Sequence, residues 1–257
     1  MELRTGTSGY SYDEWNGPFY PEKLKAAERL RFYAERLPAV EINNTFYRLP
    51  KESVLENWCE QVPETFRFVI KASRRITHFK RLKKTEDETG YLLKTLRTLG
   101  PRLGCVLFQL PPNLKQDLPR LEAFLGLLPE GTRAAFEFRH ESWFDETTYQ
   151  RLRDRGLALV VAEAEADDEP TEIVSTADWG YLRLRRSDYA HADLAAWAER
   201  VRATGWDEAF VFFKHEDAGA GPRLAAEFLE VADRVQTRKA PAQRRGAPPE
   251  TGEREAG

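Results

Sequence analysis

The segment VEINNTFYRLP, from Val40 to Pro50, places several hydrogen-bonding side chains at the end of an apolar stretch. Glu41 lies between apolar neighbours, and Asn43 and Asn44 follow it, together with a threonine and two aromatic residues. A carboxylate in such a position can act as a general acid or base, while amides and aromatic rings can bind a polar ligand. The segment therefore predicts part of a ligand-binding or catalytic site.

Other apolar stretches end in the same way. KASRRITH supplies Lys71 and His78, and EFRHESW supplies Glu137, Arg139 and His140. If these stretches are parallel strands of one barrel, their carboxyl ends surround one opening, which we call the mouth, and the side chains meet there. We expect the remaining residues that line the mouth to be Tyr10, Tyr12, Trp15, Phe46, Gln109 and Arg183.

Glu41 and Glu137 are the candidate catalytic residues, because two carboxylates on opposite sides of a site can serve as acid and base, as in glycosidases. Tyr12 and Trp15 would then stack on a sugar ring. The alternative is an ion-paired ring of strand-end charges that only supports the fold, because buried charges need partners. The number of charged and aromatic groups at the strand ends favours a ligand site.

Anion binding is a further interpretation of the same strand ends. Lys71, Arg74, Arg75 and His78 lie close together after the third apolar stretch, and such a cluster suits a phosphate group or a nucleic-acid backbone. Three acidic residues at positions 86–88 follow and would neutralise part of this charge, so a solvated charged surface competes with the binding interpretation.

Metal-assisted hydrolysis finds little support in the sequence. Only four histidines are present, and neither H-E-x-x-H nor C-x-x-C spacing occurs. His78, His140 and His215 could approach one opening with Glu216, but nothing in their spacing indicates a metal cluster. We predict no metal and no cofactor.

The elements that would position these residues are short apolar stretches alternating with longer amphipathic segments. The stretches are Leu3–Thr7, Ala39–Asn43, Arg67–Lys71, Leu103–Leu110, Arg133–Phe138, Leu157–Val161, Tyr181–Leu184 and Ala209–Phe213. Apolar spacings of three and four predict helices in the segments between them. The predicted helices are Pro21–Leu37, Lys51–Val62, Glu86–Leu99, Leu118–Leu128, Asp145–Arg155, Ala190–Thr204 and Pro222–Val235.

This alternation predicts an α/β protein with a single (β/α)8 barrel over residues 1–236. An open doubly wound sheet is less favoured, because no G-x-G-x-x-G follows the first strand. The acidic stretch Glu163–Glu172 predicts an exposed loop. Residues 237–257 lack apolar periodicity and are rich in Pro, Gly and charge, which predicts a disordered tail.

The amino-acid composition indicates the broad class of protein. The chain has 257 residues, 41% of them hydrophobic and 32% charged, with a net charge of −3, so no general attraction to nucleic acid or membranes is expected. Neither a signal peptide nor an apolar run long enough to cross a bilayer is visible. With only two cysteines, Cys59 and Cys105, a disulfide framework is not indicated. We expect a cytoplasmic protein with no required protein partner.

Five segments, GTSGYSYDEWNGPFYP, VEINNTFYRLP, FVIKASRRITH, LGCVLFQLPPNL and FEFRHESW, occur in order. In these motifs the chain resembles the YecE-like family (domain of unknown function 72), over about Arg4 to Val235. The resemblance implies a TIM barrel and leaves the biochemical role open. Through a distant likeness to endonuclease IV-type barrels, it also implies phosphate or DNA binding.

The last third of the chain departs from the pattern of that family. Arg185 and Arg186 stand where the family has His-Gly, and Lys214 and His215 replace an asparagine pair. Glu163 lies near the position of a common aspartate. The added positive charge at Arg185 and Lys214 suits a more anionic ligand.

Taken together, the residues predict a protein that binds an anionic ligand, either phosphate-bearing or nucleic acid, at the mouth, with hydrolysis as one candidate reaction. Two alternatives stay open: a carbohydrate-active enzyme that uses the glutamate pair, and a barrel that binds without turnover. Lys71, Arg139 and Arg183 would hold the anionic group.

Overall fold

The computed structural model describes residues 1–163, 171–186, 188–214 and 219–239, apart from the side chains of residues 236–239. Eight parallel strands follow one another around a closed barrel, and the last pairs with the first. The strands are β1 Glu2–Ser8, β2 Ala39–Ile42, β3 Arg67–Lys71, β4 Leu103–Gln109, β5 Ala134–Glu137, β6 Ala158–Glu163, β7 Trp179–Leu184 and β8 Glu208–Phe213. The predicted (β/α)8 barrel is confirmed.

Helices pack around the strands. They are α1 Arg29–Ala34, α2 Glu52–Gln61, α3 Glu86–Leu96, α4 Leu118–Leu125, α5 Glu146–Arg153, α6 His191–Ala203 and α7 Ala220–Lys239. Residues 171–178, the described part of the connection between β6 and β7, contain no helix. The predicted exposed loop over residues 163–172 begins one residue too early, because Glu163 is a buried residue of β6, and residues 164–170 lie outside the described part.

The first helix is shorter than predicted. The prediction was Pro21–Leu37, whereas α1 covers Arg29–Ala34 after a 3-10 turn at Ala26–Glu28. Residues 21–28 are almost all exposed, so a helix there would bury little apolar surface to stabilise it. At the other end of the chain, α7 extends past the predicted start of the tail at Thr237, and residues 240–257 lie outside the described part.

Alternation along the strands explains how the barrel positions polar groups. Val69, Leu107 and Tyr181 belong to a buried cluster inside the barrel, whereas Phe108 faces outward and its ring contacts Phe124 of α4 at 5.1 Å. Successive strand residues point to opposite faces, so the next inward positions lie two residues further along each strand. Those positions are Glu41, Lys71, Gln109, Glu137 and Arg183.

Both cysteines are free. Cys105 is buried inside the barrel, where burial raises the pKa of its thiol, and Cys59 is half-buried on α2. In the described part of the chain, no helix is both long and apolar enough to cross a membrane.

Candidate functional site

Arg183 on β7 joins the two candidate catalytic carboxylates. Its Nη2 donates to Oε1 of Glu41 at 2.8 Å, and its Nη1 donates to Oε2 of Glu137 at 2.7 Å. All three residues are buried. Because β2, β5 and β7 are not neighbours in the barrel, this one guanidinium crosses the interior and links distant strands at the floor of the mouth.

Glu41 is surrounded by hydrogen-bond donors. Besides Arg183, its Oε1 accepts from Ser8 Oγ at 2.8 Å and from Asn43 Nδ2 at 3.0 Å, and its Oε2 accepts from the Tyr181 hydroxyl at 2.5 Å. Burial alone would raise the pKa of Glu41, but the charge of Arg183 and the hydrogen bonds from Tyr181 and Ser8 lower it. The carboxylate is therefore ionised, and both of its oxygens accept hydrogen bonds.

Glu137 is held in the same way. Gln109 Nε2 donates to its Oε2 at 2.9 Å, and Arg185 donates to its Oε1. Burial would raise the pKa of Glu137, but Arg183, Arg185 and Gln109 together lower it to about 2. Such a carboxylate is a poor general base at neutral pH. The geometry thus favours the ion-paired interpretation and does not support the predicted acid or base roles of Glu41 and Glu137.

Lys71, at the end of β3, is half-buried beside these ion pairs. Its Nζ lies 4.6 Å from the centroid of the Phe46 ring, and it makes neither a hydrogen bond nor an ion pair within 4.0 Å with any described residue. Burial and the charge of Arg183 lower its pKa to about 8, although Glu41 and Glu137 oppose the change. The protonated amine of Lys71 therefore forms no ion pair with a described carboxylate.

His78 lies against the same aromatic ring, with its own ring centroid 4.9 Å from that of Phe46. Its Nδ1 is 2.9 Å from the hydroxyl of Thr77. Burial, followed by the charges of Lys71 and Arg139, lowers the pKa of His78, so the imidazole is neutral at neutral pH. Arg139 is exposed at the rim and forms no ion pair with a described residue.

The cations of the mouth differ in their partners. Arg183 and Arg185 pair with the carboxylates of Glu41 and Glu137, whereas the amine of Lys71 pairs with no described carboxylate. Arg139 adds a further positive charge at the rim. A partly desolvated site with this balance attracts anions.

A cavity of about 210 Å³ lies beside the mouth, between the loops that follow β1 and β2. Tyr10, Tyr12, Asn43, Asn44 and Arg48 line it, with Asn44 and Arg48 exposed. Asn43 connects the cavity to the ion pairs, because it lines the cavity and its Nδ2 donates to Glu41. Its buried Oδ1 accepts no hydrogen bond from the described residues. Four of the predicted lining residues therefore meet here.

Trp15 does not line the mouth. It is 1% exposed, and its ring lies 4.9 Å from Tyr12 and 5.7 Å from Phe19 in an aromatic cluster. The loop after β1 folds back on itself, and the hydroxyl of Tyr12 donates to the carbonyl of Ser8 at 2.6 Å. This packing gives Trp15 a place in the core and removes it as a stacking surface for a ligand.

His140 and two cations of the loop that follows β3 form hydrogen bonds or ion pairs within the protein. His140 begins a 3-10 turn, where its Nδ1 accepts a hydrogen bond from the backbone N–H of Ser142 at 3.2 Å. Arg75 and Lys80 both pair with Glu88 at 2.8 Å. The solvated-surface interpretation therefore applies to these two loop cations.

The three departures from the family pattern lie in different surroundings. Arg185 joins the ion pairs through Glu137, whereas Lys214 is exposed at the end of β8. Glu163 is buried and accepts a hydrogen bond from the hydroxyl of Tyr189. Within the described ranges, no three His, Cys, Asp or Glu side chains gather as a metal-binding group, and residues 215–218 lie outside those ranges.

Comparison with known proteins places the chain in a family. Residues 4–248 match the protein family of unknown function DUF72. The chain belongs to the DUF72 family. The UPF0759 protein YecE of Escherichia coli K12 is 31% identical over 188 residues, which cover 70% of this chain and 68% of YecE. The UPF0759 protein YunF of Bacillus subtilis 168 is 30% identical over 144 residues, 51% of this chain and 50% of YunF.

Solved DUF72 structures share the barrel. A family member from Thermotoga maritima MSB8 superposes with a TM-score of 0.79 at 27% identity, covering 91% of this chain and all of the other. A member from Enterococcus faecalis V583 gives a TM-score of 0.74 at 20% identity, covering 90% of this chain and 95% of the other, and shows the shared fold.

Two residues of the site in this DUF72 protein were missing from the predicted set. Ser8 and Tyr181 both donate to Glu41. Tyr181 lies two positions before Arg183 on β7, so strand alternation alone indicates that it faces the barrel interior directly below the guanidinium. Ser8 ends β1 opposite Glu41 in the strand register, which only the pairing of β1 with β2 reveals.

Proposed function

We propose that this DUF72 protein binds a small phosphate-bearing ligand at the mouth of the barrel. The observation that supports this most strongly is the charge balance: the carboxylates of Glu41 and Glu137 are occupied by arginines, while Lys71 and Arg139 have no described anionic partner. Catalytic and binding groups in barrels of this kind gather at the same end.

The ion pairs at the floor of the mouth supply a rigid support for the ligand. Arg183 is fixed by two carboxylates and cannot turn outward without losing both ion pairs. Lys71 and Arg139 would contact the phosphate oxygens directly, because charge-assisted hydrogen bonds to phosphate are the strong ones in proteins. Neutral His78 would add a hydrogen bond through its Nε2, since its Nδ1 faces Thr77.

A small ligand fits the described surface better than a nucleic-acid strand. Arg75 and Lys80, which would extend a basic track along the third loop, share the carboxylate of Glu88, which matches one of their two charges. The net charge of −3 also provides no broad attraction for a polyanion.

The carbohydrate-active alternative is less well supported. Glu41 and Glu137 bind the same guanidinium, so Arg183 occupies the space where a sugar would lie between a catalytic pair. A binding protein without turnover agrees with the geometry as well as an enzyme does.

Calorimetric titration with inorganic phosphate, a sugar phosphate, a mononucleotide and an abasic DNA duplex tests this proposal. We expect saturable binding of a small phosphate compound, weakened about tenfold in Arg139→Gln, because one charged hydrogen bond contributes about 1.5 kcal/mol. The matched control is Arg31→Gln, which removes an exposed arginine of α1 and should leave the affinity unchanged. Absence of binding by every probe, or equal weakening in both variants, would refute the proposal.

A further inference from the structure

The amine of Lys71 is the reactive group at the mouth that ligand binding alone does not explain. We propose that Lys71 forms a reversible Schiff base with the carbonyl carbon of an aldehyde or ketone that also bears a phosphate group. This inference rests on the proposed phosphate site, adds a covalent activity to it, and defines the class of ligand more closely.

The surroundings of Lys71 suit a nucleophilic amine. A half-buried lysine normally pairs with a carboxylate, yet here Nζ lies over the Phe46 ring and has no hydrogen-bond or ion-pair partner among the described residues. The two nearby carboxylates that would capture it are occupied by Arg183, and one of them also by Arg185. The amine is therefore close to charges that position it but not bonded to them.

The protonation state of Lys71 agrees with this geometry. Burial, together with the charges of Arg183 and Arg185, lowers its pKa to about 8 against the opposing effect of Glu41 and Glu137. Near pH 7.5 about a quarter of the amine is then neutral, compared with about one part in a thousand for an ordinary lysine. Only the neutral amine attacks a carbonyl, and burial is the usual way in which proteins activate lysine.

The reaction requires no oxidant or reductant. The lone pair of Lys71 Nζ forms a bond to the carbonyl carbon, and the carbonyl π electrons move to oxygen, which takes a proton while the nitrogen loses one. The carbon–oxygen bond of this carbinolamine then breaks with protonation of the hydroxyl, so water leaves and an iminium ion remains. His78, which contacts the same Phe46 ring and is neutral, is placed to move these protons.

The other groups of the mouth define the ligand. In such a compound Arg139 at the rim would keep the phosphate, while Lys71, which would contact free phosphate, bonds instead to the carbonyl carbon in the interior. Asn43 also lines the adjacent cavity of about 210 Å³, which lies between the loops that follow β1 and β2. The Oδ1 of Asn43, which has no hydrogen-bond partner in the described ranges, would accept a hydrogen bond from a ligand hydroxyl. The structure thus favours a small phosphorylated carbonyl compound.

Trapping with borohydride tests the proposal directly. The full-length protein is treated with pyridoxal 5′-phosphate or with pyridoxal, reduced, digested and mapped by mass spectrometry. At pH 7.5 we expect the phosphorylated aldehyde to modify Lys71 at least about tenfold faster than any other lysine, because an ordinary lysine is almost entirely protonated at that pH. We also expect added inorganic phosphate to protect Lys71.

The variants separate reactivity from charge. Lys71→Arg keeps the positive charge but cannot form an imine, so modification at this site should disappear while phosphate still binds. Lys94→Arg, on the exposed surface of α3, is the matched control and should leave the labelling of Lys71 unchanged. Circular dichroism of each variant verifies that the barrel is folded.

Failure of the covalent step and failure of the phosphate site give different results. Equal labelling of exposed lysines and Lys71 by both aldehydes would overturn the Schiff base. If phosphate binds in calorimetry and Lys71 stays unmodified, the phosphate site is supported and the Schiff base is refuted. Preferential labelling of Lys71 by both aldehydes at the same rate, without protection by phosphate, would support the Schiff base and refute its preference for phosphate.

Discussion

Replacing Arg183 with methionine should destabilise the barrel far more than the loss of a surface arginine. The substitution removes both hydrogen bonds to Glu41 and Glu137, which remain buried. Glu137 keeps Arg185, but Glu41 keeps only neutral donors at hydrogen-bond distance. Removing one partner of a buried ion pair typically costs about 3–5 kcal/mol, and we expect a loss of free energy of unfolding in that range near pH 7.

The pH dependence of this loss follows from the pKa values. In the wild-type protein the pKa of Glu137 falls from 4.5 to about 2, which corresponds to about 3 kcal/mol of preference for its ionised form. That stability is present above about pH 4.5 and is lost as the pH falls toward 2. Without Arg183, the largest effect that lowers the pKa of Glu41 is lost while burial still raises it, so protonation of Glu41 as the pH falls toward 4 relieves the unpaired charge. The variant should therefore lose more stability near pH 7 than near pH 4.

Urea unfolding followed by circular dichroism at both pH values measures the effect. Arg153→Met, which breaks an exposed pair with Glu146, is the matched control and should cost less than about 1 kcal/mol. Adding Glu41→Gln to Arg183→Met should recover at least about 1 kcal/mol, because it removes the unpaired charge. A loss for Arg183→Met no larger than that of the control, or equal losses at the two pH values, would refute the reasoning.

Two further predictions concern stability. Because the folded-state pKa of Lys71 is lowered to about 8, its charge destabilises the fold, and Lys71→Met should raise the free energy of unfolding by roughly 1–3 kcal/mol near pH 7. The difference in free energy of unfolding should shrink between about pH 8 and pH 10.5, because wild-type Lys71 becomes neutral over that range. Urea unfolding measures it, and a difference that does not change with pH would contradict the prediction. Gly6→Ala should cost more than about 2 kcal/mol, since its Cβ would lie 1.9 Å from the carbonyl oxygen of Ala39. Gly90→Ala, in open space on α3, should instead raise the free energy of unfolding by about 0.5–1 kcal/mol. Urea unfolding measures both variants, and equal effects of the two alanines would contradict this expectation.

The strands could be predicted because each is a short apolar run with a recognisable end. Arg67–Lys71 is identical in the prediction and in β3, and the other strands differ by a few residues at their ends. The first helix could not be bounded in this way. The predicted start at Pro21 rested on proline as a common first residue of helices. The helix begins instead at Arg29, which is buried and pairs with Asp13 at 2.7 Å, because only from there on does the segment pack against the rest of the protein.

The composition of the site was predictable, whereas its internal pairing was not. Strand ends in a barrel surround one opening, so Glu41, Glu137 and Arg183 were expected to meet. Which cation reaches which carboxylate depends on the distance across the barrel between the strand ends and on the length of each side chain. The sequence does not give the first of these. The burial of Trp15 in an aromatic cluster could not be predicted either, because the loop after β1 has no periodic sequence pattern.

A positive site without a described anionic partner at the mouth should bind an anion in the crystal. Crystals soaked in sodium tungstate, a phosphate analogue with a strong anomalous signal, test this most directly. We expect an anomalous peak within hydrogen-bond reach of Lys71 and Arg139. Peaks confined to the outer loop near Arg75 and Lys80, with the mouth empty, would contradict it.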